Sequence, residues 1–272
     1  MSLSLNTNIS SMQTQQALSQ SQSALQTSLQ RLSTGLRVNS AKDDAAAYAV
    51  ASSLTTTLNS QTQGIQNANN ALSYLQTADS YLGQVENNLQ RMRQLAVESN
   101  NGGLSAADQA NLDKEFQQLA TANKNIAANA KYNGTALFDG ATVKFQYGQD
   151  STNDVTSITN ATAANFTSSS TGTDVTSAAN AVTAQTKIDA DLTALKSARA
   201  DLGAQQSGLS STINTLTSNN TALSAAKSTM IDTDYAAETS NMTRQNILQQ
   251  AGTAMLAQAN SAPNSILNLL KG

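Results

Sequence analysis

The sequence predicts a mainly α protein, built as a long antiparallel helical bundle or coiled-coil rod with a small β-hairpin region in the middle. Two stretches of the chain carry apolar residues at heptad spacing, and the stretch between them combines turn dipeptides with strand-like alternation. Charged residues make up only 12% and aromatic residues only 4% of the 272 residues. Because large rings normally fill thick cores, this composition favours a thin molecule.

The first predicted element is an amphipathic helix within residues 1–40, a segment without acidic residues. Its apolar positions recur at heptad-like steps and are Leu18, Leu25, Leu29, Leu32 and Leu36. Residues 229–272 are likewise predicted to form an amphipathic helix, with apolar positions that include Leu248, Met255, Leu267 and Leu270. Because short helices depend on tertiary packing, we expect these segments to pair with each other, to pair with other copies of the chain, or to stay disordered.

The second element is a helix predicted from about residue 41 to about residue 100. Ser40 and Asp43 are spaced as a capping pair at its start, and the run from Asn100 to Gly103 ends it. At 1.5 Å per residue such a helix is about 90 Å long, which predicts a rod. Its apolar face, the N-terminal column, consists of Ala71, Leu75, Ala78, Leu82, Val85, Leu89, Met92 and Ala96.

A third helix is predicted from a second capping pair, Ser105 and Asp108, to about Ala130. Turn dipeptides follow it, and residues 143–147 then alternate apolar and polar side chains, which predicts a small hairpin. Residues 149–180 are mostly Ser, Thr, Asn, Ala and Gly and have few apolar anchors. They predict a surface loop or short meander, with an exposed recognition tip as the alternative.

The last long helix is predicted from a second apolar series, the C-terminal column, in which every seventh residue is apolar. Its members are Ile188, Leu195, Leu202, Leu209, Leu216, Leu223 and Met230. The companion heptad positions are half polar and include Arg199, Gln206 and Lys227. Such a helix pairs less tightly than one with two leucine columns, or it faces a partner that supplies polar groups.

These elements divide the chain into five segments. Residues 1–40 and 229–272 are the N- and C-terminal inner coiled-coil segments. Residues 41–140 hold the N-terminal rod helices and turn region, residues 141–180 form a short β/loop tip, and residues 181–228 form the C-terminal rod helix.

The composition argues against catalysis. The sequence contains no His and no Cys, which removes His-based acid–base chemistry, Ser-His-Asp and Cys-His nucleophiles, and metal sites that need imidazole or thiolate. The carboxylate pairs Asp189/Asp191 and Asp232/Asp234 fit helix-start and solubility roles better than catalytic ones. We therefore expect a protein that is not an enzyme, with no catalytic residue, no cofactor and no metal.

Charge and targeting signals are equally sparse. A formal net charge of −3 gives no electrostatic footprint for nucleic acid. No stretch reaches the ~18 consecutive apolar residues of a membrane span, and the first residues lack the basic and apolar regions of a secretory signal peptide. These rules taken alone indicate a cytosolic protein.

The apolar stripes predict self-assembly. A monomeric helical bundle is the alternative, but a thin rod with two uncovered terminal helices has more apolar stripe than it can bury itself. Heterologous contacts that do not close into a ring produce an open helical filament.

Motifs at both ends of the chain resemble bacterial flagellin. Near the N-terminus the matching segments are Leu5-Asn-Thr-Asn-Ile9 and the run from Arg31 through Gly35 and Asp43-Asp44 to Ala46. Towards the C-terminus they are Leu202-Gly-Ala-Gln205, the run from Asp232 to Glu238, and the run from Gln249 to Asn260 followed by Pro263. The resemblance covers residues 1–140 and 180–272. Because the gap between these regions is short, it identifies a short flagellin that lacks large outer domains.

The resemblance implies a filament subunit for motility whose first and last segments pair as an inner coiled coil and are disordered in the free monomer. It implies that residues 41–130 and 181–228 form an outer tube, and that the protein is secreted through a type III export channel to the extracellular flagellum without a cleaved signal. Implied partners are other flagellin subunits, an export chaperone, and filament cap and junction proteins. The predicted self-assembly residues are the leucines of residues 1–40 named above, Leu75, Leu82, Leu89, the whole C-terminal column, Leu248, Met255, Leu267 and Leu270.

A further implied partner is an animal toll-like receptor, for which Arg91, Leu95 and Glu115 occupy matching positions. Met92 and Gln94 depart from the commonest pattern there. Two alternative functions remain: a hook-filament junction protein, and a cell-surface adhesin or polymer-binding flagellin-like protein with the tip at residues 141–180. A flagellin with a protease insertion would need His ligands, which the sequence lacks.

Overall fold

The computed structural model describes the backbone of residues 7–271 and the side chains of residues 7–262. The described chain is mainly helical, as predicted, with two small two-stranded antiparallel sheets in its middle. Its elements are α1 (Ile9–Thr34), α2 (Ala45–Ser99), α3 (Ala106–Asn129), β1 (Lys131–Tyr132), β2 (Thr135–Ala136), β3 (Thr142–Gln146), β4 (Val155–Thr159), two 3-10 turns (Ala163–Asn165 and Ser168–Ser170), α4 (Ala178–Ile231) and α5 (Tyr235–Lys271).

The described residues form two compact units. The terminal unit combines the chain up to residue 56 with the chain from residue 222 onward, and the central unit is residues 57–221. The central unit holds α3, both hairpins and the larger parts of α2 and α4, and the terminal unit holds α1 and α5. In the described part of the chain no helix has the length and apolarity needed to cross a membrane.

The core of the central unit is built from the two predicted columns. Along α2 the side chains of the N-terminal column are almost fully covered, and along α4 the C-terminal column is covered as far as Leu209. Phe116 of α3 and Leu137 complete the same cluster. Since each buried Leu, Ile, Val, Phe or Met side chain contributes about 1.5–3 kcal/mol, this cluster is the main source of stability in the unit.

The cap of α3 is confirmed, whereas the predicted start of α2 is wrong by four residues. Ser105 Oγ accepts from the Asp108 amide at 3.3 Å, and Asp108 Oδ2 accepts from the Ser105 amide at 3.2 Å. Before α2, Asp43 Oδ2 accepts from the Ser40 amide at 2.9 Å and closes a separate turn. Asp44 is the residue that caps α2, because its Oδ1 accepts from the Ala47 amide at 2.9 Å.

Both hairpins follow local sequence signals. Asn133 and Gly134 have φ of 48° and 83° and form the turn between β1 and β2, where the left-handed backbone favours these two residues. In β3 the side chains alternate, with Val143 and Phe145 half-buried against the core. Strand β4 pairs with β3 over five residue pairs, from Thr142 with Thr159 to Gln146 with Val155.

The segment predicted as a surface loop or short meander contains strand β4 and both 3-10 turns. Three apolar anchors within residues 149–180 are fully covered: Ile158, Phe166 and Val175. Phe166 packs edge-on against Phe138, with ring centroids 5.3 Å apart. These few anchors are sufficient because the segment joins an existing core and does not build its own.

In the terminal unit α1 and α5 lie antiparallel. Asn8 contacts Ala259, Leu18 lies beside Gly252, and Arg31 Nη1 lies 3.6 Å from Glu238 Oε2. The residue numbers of the α5 partners therefore decrease as the residue numbers on α1 increase, which is the order expected of antiparallel helices. The buried apolar cluster of this unit is small and consists of Val38, Ala47, Ala51 and Ile231.

Candidate assembly surface

The predicted self-assembly residues fall into three groups by exposure. Seven are buried in the core of the central unit: Leu75, Leu82, Leu89, Ile188, Leu195, Leu202 and Leu209. Seven are half-buried: Leu18, Leu25, Leu32, Leu36, Leu216, Leu223 and Met230. Three are exposed: Leu29, Leu248 and Met255.

Leu267 and Leu270 lie outside the residues whose side chains the structure describes. The seven buried leucine and isoleucine side chains contact their own chain, so here they hold α2, α3 and α4 together. Among the described side chains, the exposed group is the most available for a contact between copies.

The face of α1 that α5 covers is rich in small polar residues. Ser11 and Ser28 are its fully buried residues in the described part of α1. The half-buried positions at the same helical spacing are Thr14, Leu18, Ser21, Ala24, Leu25, Arg31 and Leu32. This face therefore has few large apolar side chains to bury.

The covered face of α5 has the same character. Glu238 is fully buried there, and the half-buried positions are Asn241, Met242, Gln245, Asn246, Gln249, Gly252, Leu256 and Ala259. Small and amide side chains dominate both sides of the contact. Since packing of large apolar groups supplies most of the stability of a helix pair, α1 and α5 make a weak pair within one chain.

The outward faces of the same two helices carry large apolar residues. On α1 these are Ile9, Met12 and Leu29, and on α5 they are Ile247, Leu248 and Met255, with Ile247 and Met255 each 61% exposed. Of the eleven exposed large hydrophobic residues among residues 7–262, nine lie in the terminal unit and two, Val97 and Val182, in the central unit. Concentrated exposure of this kind makes these faces a candidate interaction surface.

The predicted receptor residues lie at the contact between α2 and α3. Arg91 Nε donates to Glu115 Oε1 at 2.7 Å, and Nη2 donates to Oε2 at 3.0 Å. This two-pronged hydrogen bond lowers the pKa of the Glu115 carboxyl below its usual value and raises the pKa of Arg91. Leu95 is fully buried in the core, so the structure brings Arg91 and Glu115 together at the surface and leaves Leu95 beneath it.

The acidic pairs weighed for catalysis have structural partners. Asp189 accepts from Arg93 Nε at 2.6 Å, and Asp191, only 1% exposed, accepts from the amides and hydroxyls of Ser168 and Ser169. Asp232 accepts from the Ser228 hydroxyl, and Asp234 caps α5 through the amides of residues 236 and 237. Among the residues that the structure describes, no group of three or more potential ligands is placed to hold a metal ion.

Sequence reasoning missed the polar contacts between distant segments, two of which are made by Arg199 and Asn8. Arg199, noted only as a break in the companion positions of α4, donates to Asp79 on α2. Asn8 of the N-terminal segment donates to the backbone of α5. A charged residue inside an apolar heptad pattern is a signal for the first contact, since buried or half-buried charges need partners.

Long helices that bury their own core, with uncovered apolar stripes at both chain ends, define a class of helical structural subunits. Comparison with known proteins gives the family. The model for the bacterial flagellin N-terminal helical region matches residues 5–142, and the model for the C-terminal helical region matches residues 185–270. The chain belongs to the bacterial flagellin family, whose members build the extracellular flagellar filament, and it is a structural subunit of that filament.

Relatives and solved structures agree with this family. The flagellin of Halalkalibacterium halodurans is 36% identical over 98% of this chain and 99% of its own length, and that of Bacillus subtilis is 33% identical over the same shares. The crystal structure of Bacillus cereus flagellin has a TM-score of 0.51 at 32% identity and covers 60% of this chain and 94% of that one.

A structure described as a putative flagellar hook-associated protein from Vibrio parahaemolyticus has a TM-score of 0.59. It covers 69% of this chain and 99% of its own, at 15% identity, and therefore shows a shared fold alone. It gives no support to the junction-protein alternative.

Proposed function

We propose that the outward faces of α1 and α5 are the surface through which copies of this chain assemble into the filament. The observation that carries the proposal is the distribution of side chains in the terminal unit. Small and amide residues outnumber large apolar ones in the contact between the two helices, while Ile247 and Met255 face outward. Burying those outward residues against another copy contributes a favourable free energy of about 25 cal/mol per Å² of apolar surface. The isolated chain cannot gain this free energy.

This proposal gives different tasks to the predicted segments. Residues 1–40 and 229–272 make the contacts between copies, whereas residues 41–140 and 181–228 form the internally packed support. The column residues of α2 and of α4 up to Leu209 then act in assembly only indirectly, by keeping the support rigid. Polar contact faces suit close packing in a polymer, because Ser, Thr, Asn and Gln cost less to desolvate than charges do.

Export, partner proteins and receptor contact form the finer part of the proposal. Family membership supports secretion through the flagellar export channel, an export chaperone, and cap and junction partners. For an animal toll-like receptor, we propose Arg91 and Glu115 as the contact residues, because both side chains are nearly half exposed. Buried Leu95 would support the helix beneath them.

Polymerisation of purified protein tests the assembly surface. Replacing Ile247 and Met255 with serine removes two outward apolar side chains. Replacing Gln250 and Gln258 with serine is the matched control, since these residues are also exposed on α5 and the new residue is the same. We expect the first variant to elongate seeds far more slowly, as measured by electron microscopy, and the control to elongate normally. Equal polymer lengths for both variants would refute the proposal.

A further inference from the structure

A cluster of polar groups joins the N-terminal end of α1 to the C-terminal part of α5. Asn8 caps α1, because its Oδ1 accepts from the Ser11 amide at 3.1 Å. The other atom of the same amide, Nδ2, donates to the backbone carbonyl of Ala259 on α5 at 2.8 Å. Ser11, only 7% exposed, donates from its hydroxyl to Asn260 Oδ1 at 2.8 Å. We call Asn8, Ser11, Ala259 and Asn260 the polar junction.

Pro263 makes the Ala259 carbonyl available to Asn8. In an α-helix the carbonyl of residue 259 would accept from the amide of residue 263, and proline has no amide hydrogen. Helix α5 nevertheless continues through this position to Lys271. The Asn8 side chain therefore replaces a hydrogen bond that the helix itself cannot form.

The rest of the contact between α1 and α5 specifies its register less strictly. It holds one ion pair, between Arg31 and Glu238 near the other end, and five large apolar side chains. Its other covered positions are mostly small and amide residues, so a slip by one turn would bring many similar side chains together. Large interlocking side chains normally prevent such slips, and a single buried polar pair does so where those are scarce. Pro263 is the sole proline of the chain, so only one carbonyl of α5 is freed in this way.

We infer that the polar junction is a register-determining contact, in which Asn8 recognises the carbonyl left free by Pro263 and thereby fixes the alignment of α1 on α5. A slipped alignment would leave the Ala259 carbonyl without the Asn8 donor and would bury the Ser11 hydroxyl away from Asn260. The effect of this register contact on assembly rests on the proposed function, because the alignment decides where the outward apolar residues of α1 lie relative to those of α5.

Engineered cysteine pairs measure the alignment directly, since the chain has no cysteine of its own. A Cβ on residue 252 would lie 3.9 Å from the Cβ of Leu18, a separation suited to a disulfide. The pair Leu18→Cys with Gly252→Cys therefore reports the native register. The pair Leu18→Cys with Leu256→Cys reports a slip by about one turn. Cross-linking of each pair is measured in assembled polymer and in dissociated subunits.

The substitution Asn8→Asp separates the two tasks of Asn8. Aspartate remains a good N-cap for α1 but cannot donate to the Ala259 carbonyl. We expect the ratio of native to slipped cross-linking to fall roughly tenfold, the effect of losing one buried hydrogen bond. The substitution Pro263→Ala supplies an amide hydrogen for the Ala259 carbonyl within α5. In a chain that carries Pro263→Ala, adding Asn8→Asp should therefore lower the cross-linking ratio much less than it does in the chain with Pro263.

Each outcome is decisive. An unchanged ratio in Asn8→Asp would mean that Asn8 serves as a cap alone and would overturn the inference. Failure of the native pair to cross-link in polymer of the otherwise unchanged chain would overturn it too, as would an equal effect of Asn8→Asp with and without Pro263→Ala. Loss of polymerisation alone bears on the proposed assembly surface, because the cross-linking ratio is read in dissociated subunits as well.

Discussion

The guanidinium of Arg199 on α4 holds the carboxylate of Asp79 on α2, with Nε 2.8 Å from Oδ1 and Nη2 3.3 Å from Oδ2. Its remaining nitrogen, Nη1, donates to Glu86, which lies about two helical turns further along α2. These charge-assisted bonds raise the pKa of Arg199 above that of a free guanidinium. The polar interruption in the heptad pattern of α4 is thus matched by two acidic residues on the facing helix.

Removing this network should destabilise the central unit more than removing an exposed ion pair. We expect Arg199→Ala to lower the free energy of unfolding by about 1–2 kcal/mol, since it leaves two carboxylates without their shared partner. Arg93→Ala is the control, because the Arg93–Asp189 pair is about half exposed and should cost less than about 1 kcal/mol. Urea unfolding measures both, and equal losses would contradict the structural role of Arg199.

Two glycines of α2 predict opposite effects of the same substitution. A Cβ on Gly64 would lie 1.9 Å from the backbone oxygen of Tyr147, so Gly64→Ala must push the end of β3 away from the helix. Nothing lies within 4 Å of a Cβ on Gly83, so Gly83→Ala should stabilise α2 by about 0.5–1 kcal/mol. Thermal unfolding of the two variants tests this, and stabilisation by Gly64→Ala would show that β3 does not approach α2 as described.

The Arg91–Glu115 contact predicts a pH effect with a definite sign. The hydrogen bonds from Arg91 lower the pKa of Glu115 below its usual 4.5, so the folded state favours the ionised carboxylate. The stabilisation is present above pH 4.5 and is lost as the pH falls through the lower folded-state pKa. It is small because both side chains are exposed.

Carboxyl NMR titration checks this directly. The Glu115 pKa should rise toward 4.5 in Arg91→Gln, a variant that keeps a polar side chain but removes the charge. Gln94→Ala, which changes a neighbouring exposed residue, should leave the Glu115 pKa nearly unchanged. An unaltered titration of Glu115 in Arg91→Gln would mean that the ion pair is absent in solution.

Local patterns predicted most of the scaffold. The columns of α2 and α4, the capping box at Ser105 and the turn at Asn133-Gly134 each depend on residues close together in the sequence, and all are found in the structure. The start of α2 was missed because Asp43 and Asp44 are both acceptable caps, and only the fold shows that Asp43 closes a separate turn.

Contacts between distant residues were harder to predict. Arg199 pairs with Asp79 across 120 positions of sequence, and composition alone does not indicate which acid faces which base. Heptad spacing identified the apolar residues of the terminal helices but could not tell an inward from an outward face, because both helices are unusually polar. The position of Pro263 is a sequence signal for the contact with Asn8, because a proline inside a predicted helix leaves the carbonyl four residues earlier without its helical hydrogen-bond donor.

The accessibility of α5 in the polymer tests the central claim most directly. A single cysteine is introduced by Met255→Cys, at a position 61% exposed in the chain, and a second variant carries Ser151→Cys in the exposed turn between β3 and β4. Thiol labelling rates are then compared between dissociated subunits and filaments. We predict that residue 255 is labelled rapidly in subunits and strongly protected in filaments, whereas residue 151 reacts in both. Rapid labelling of residue 255 in intact filaments would show that copies do not meet through this face of α5.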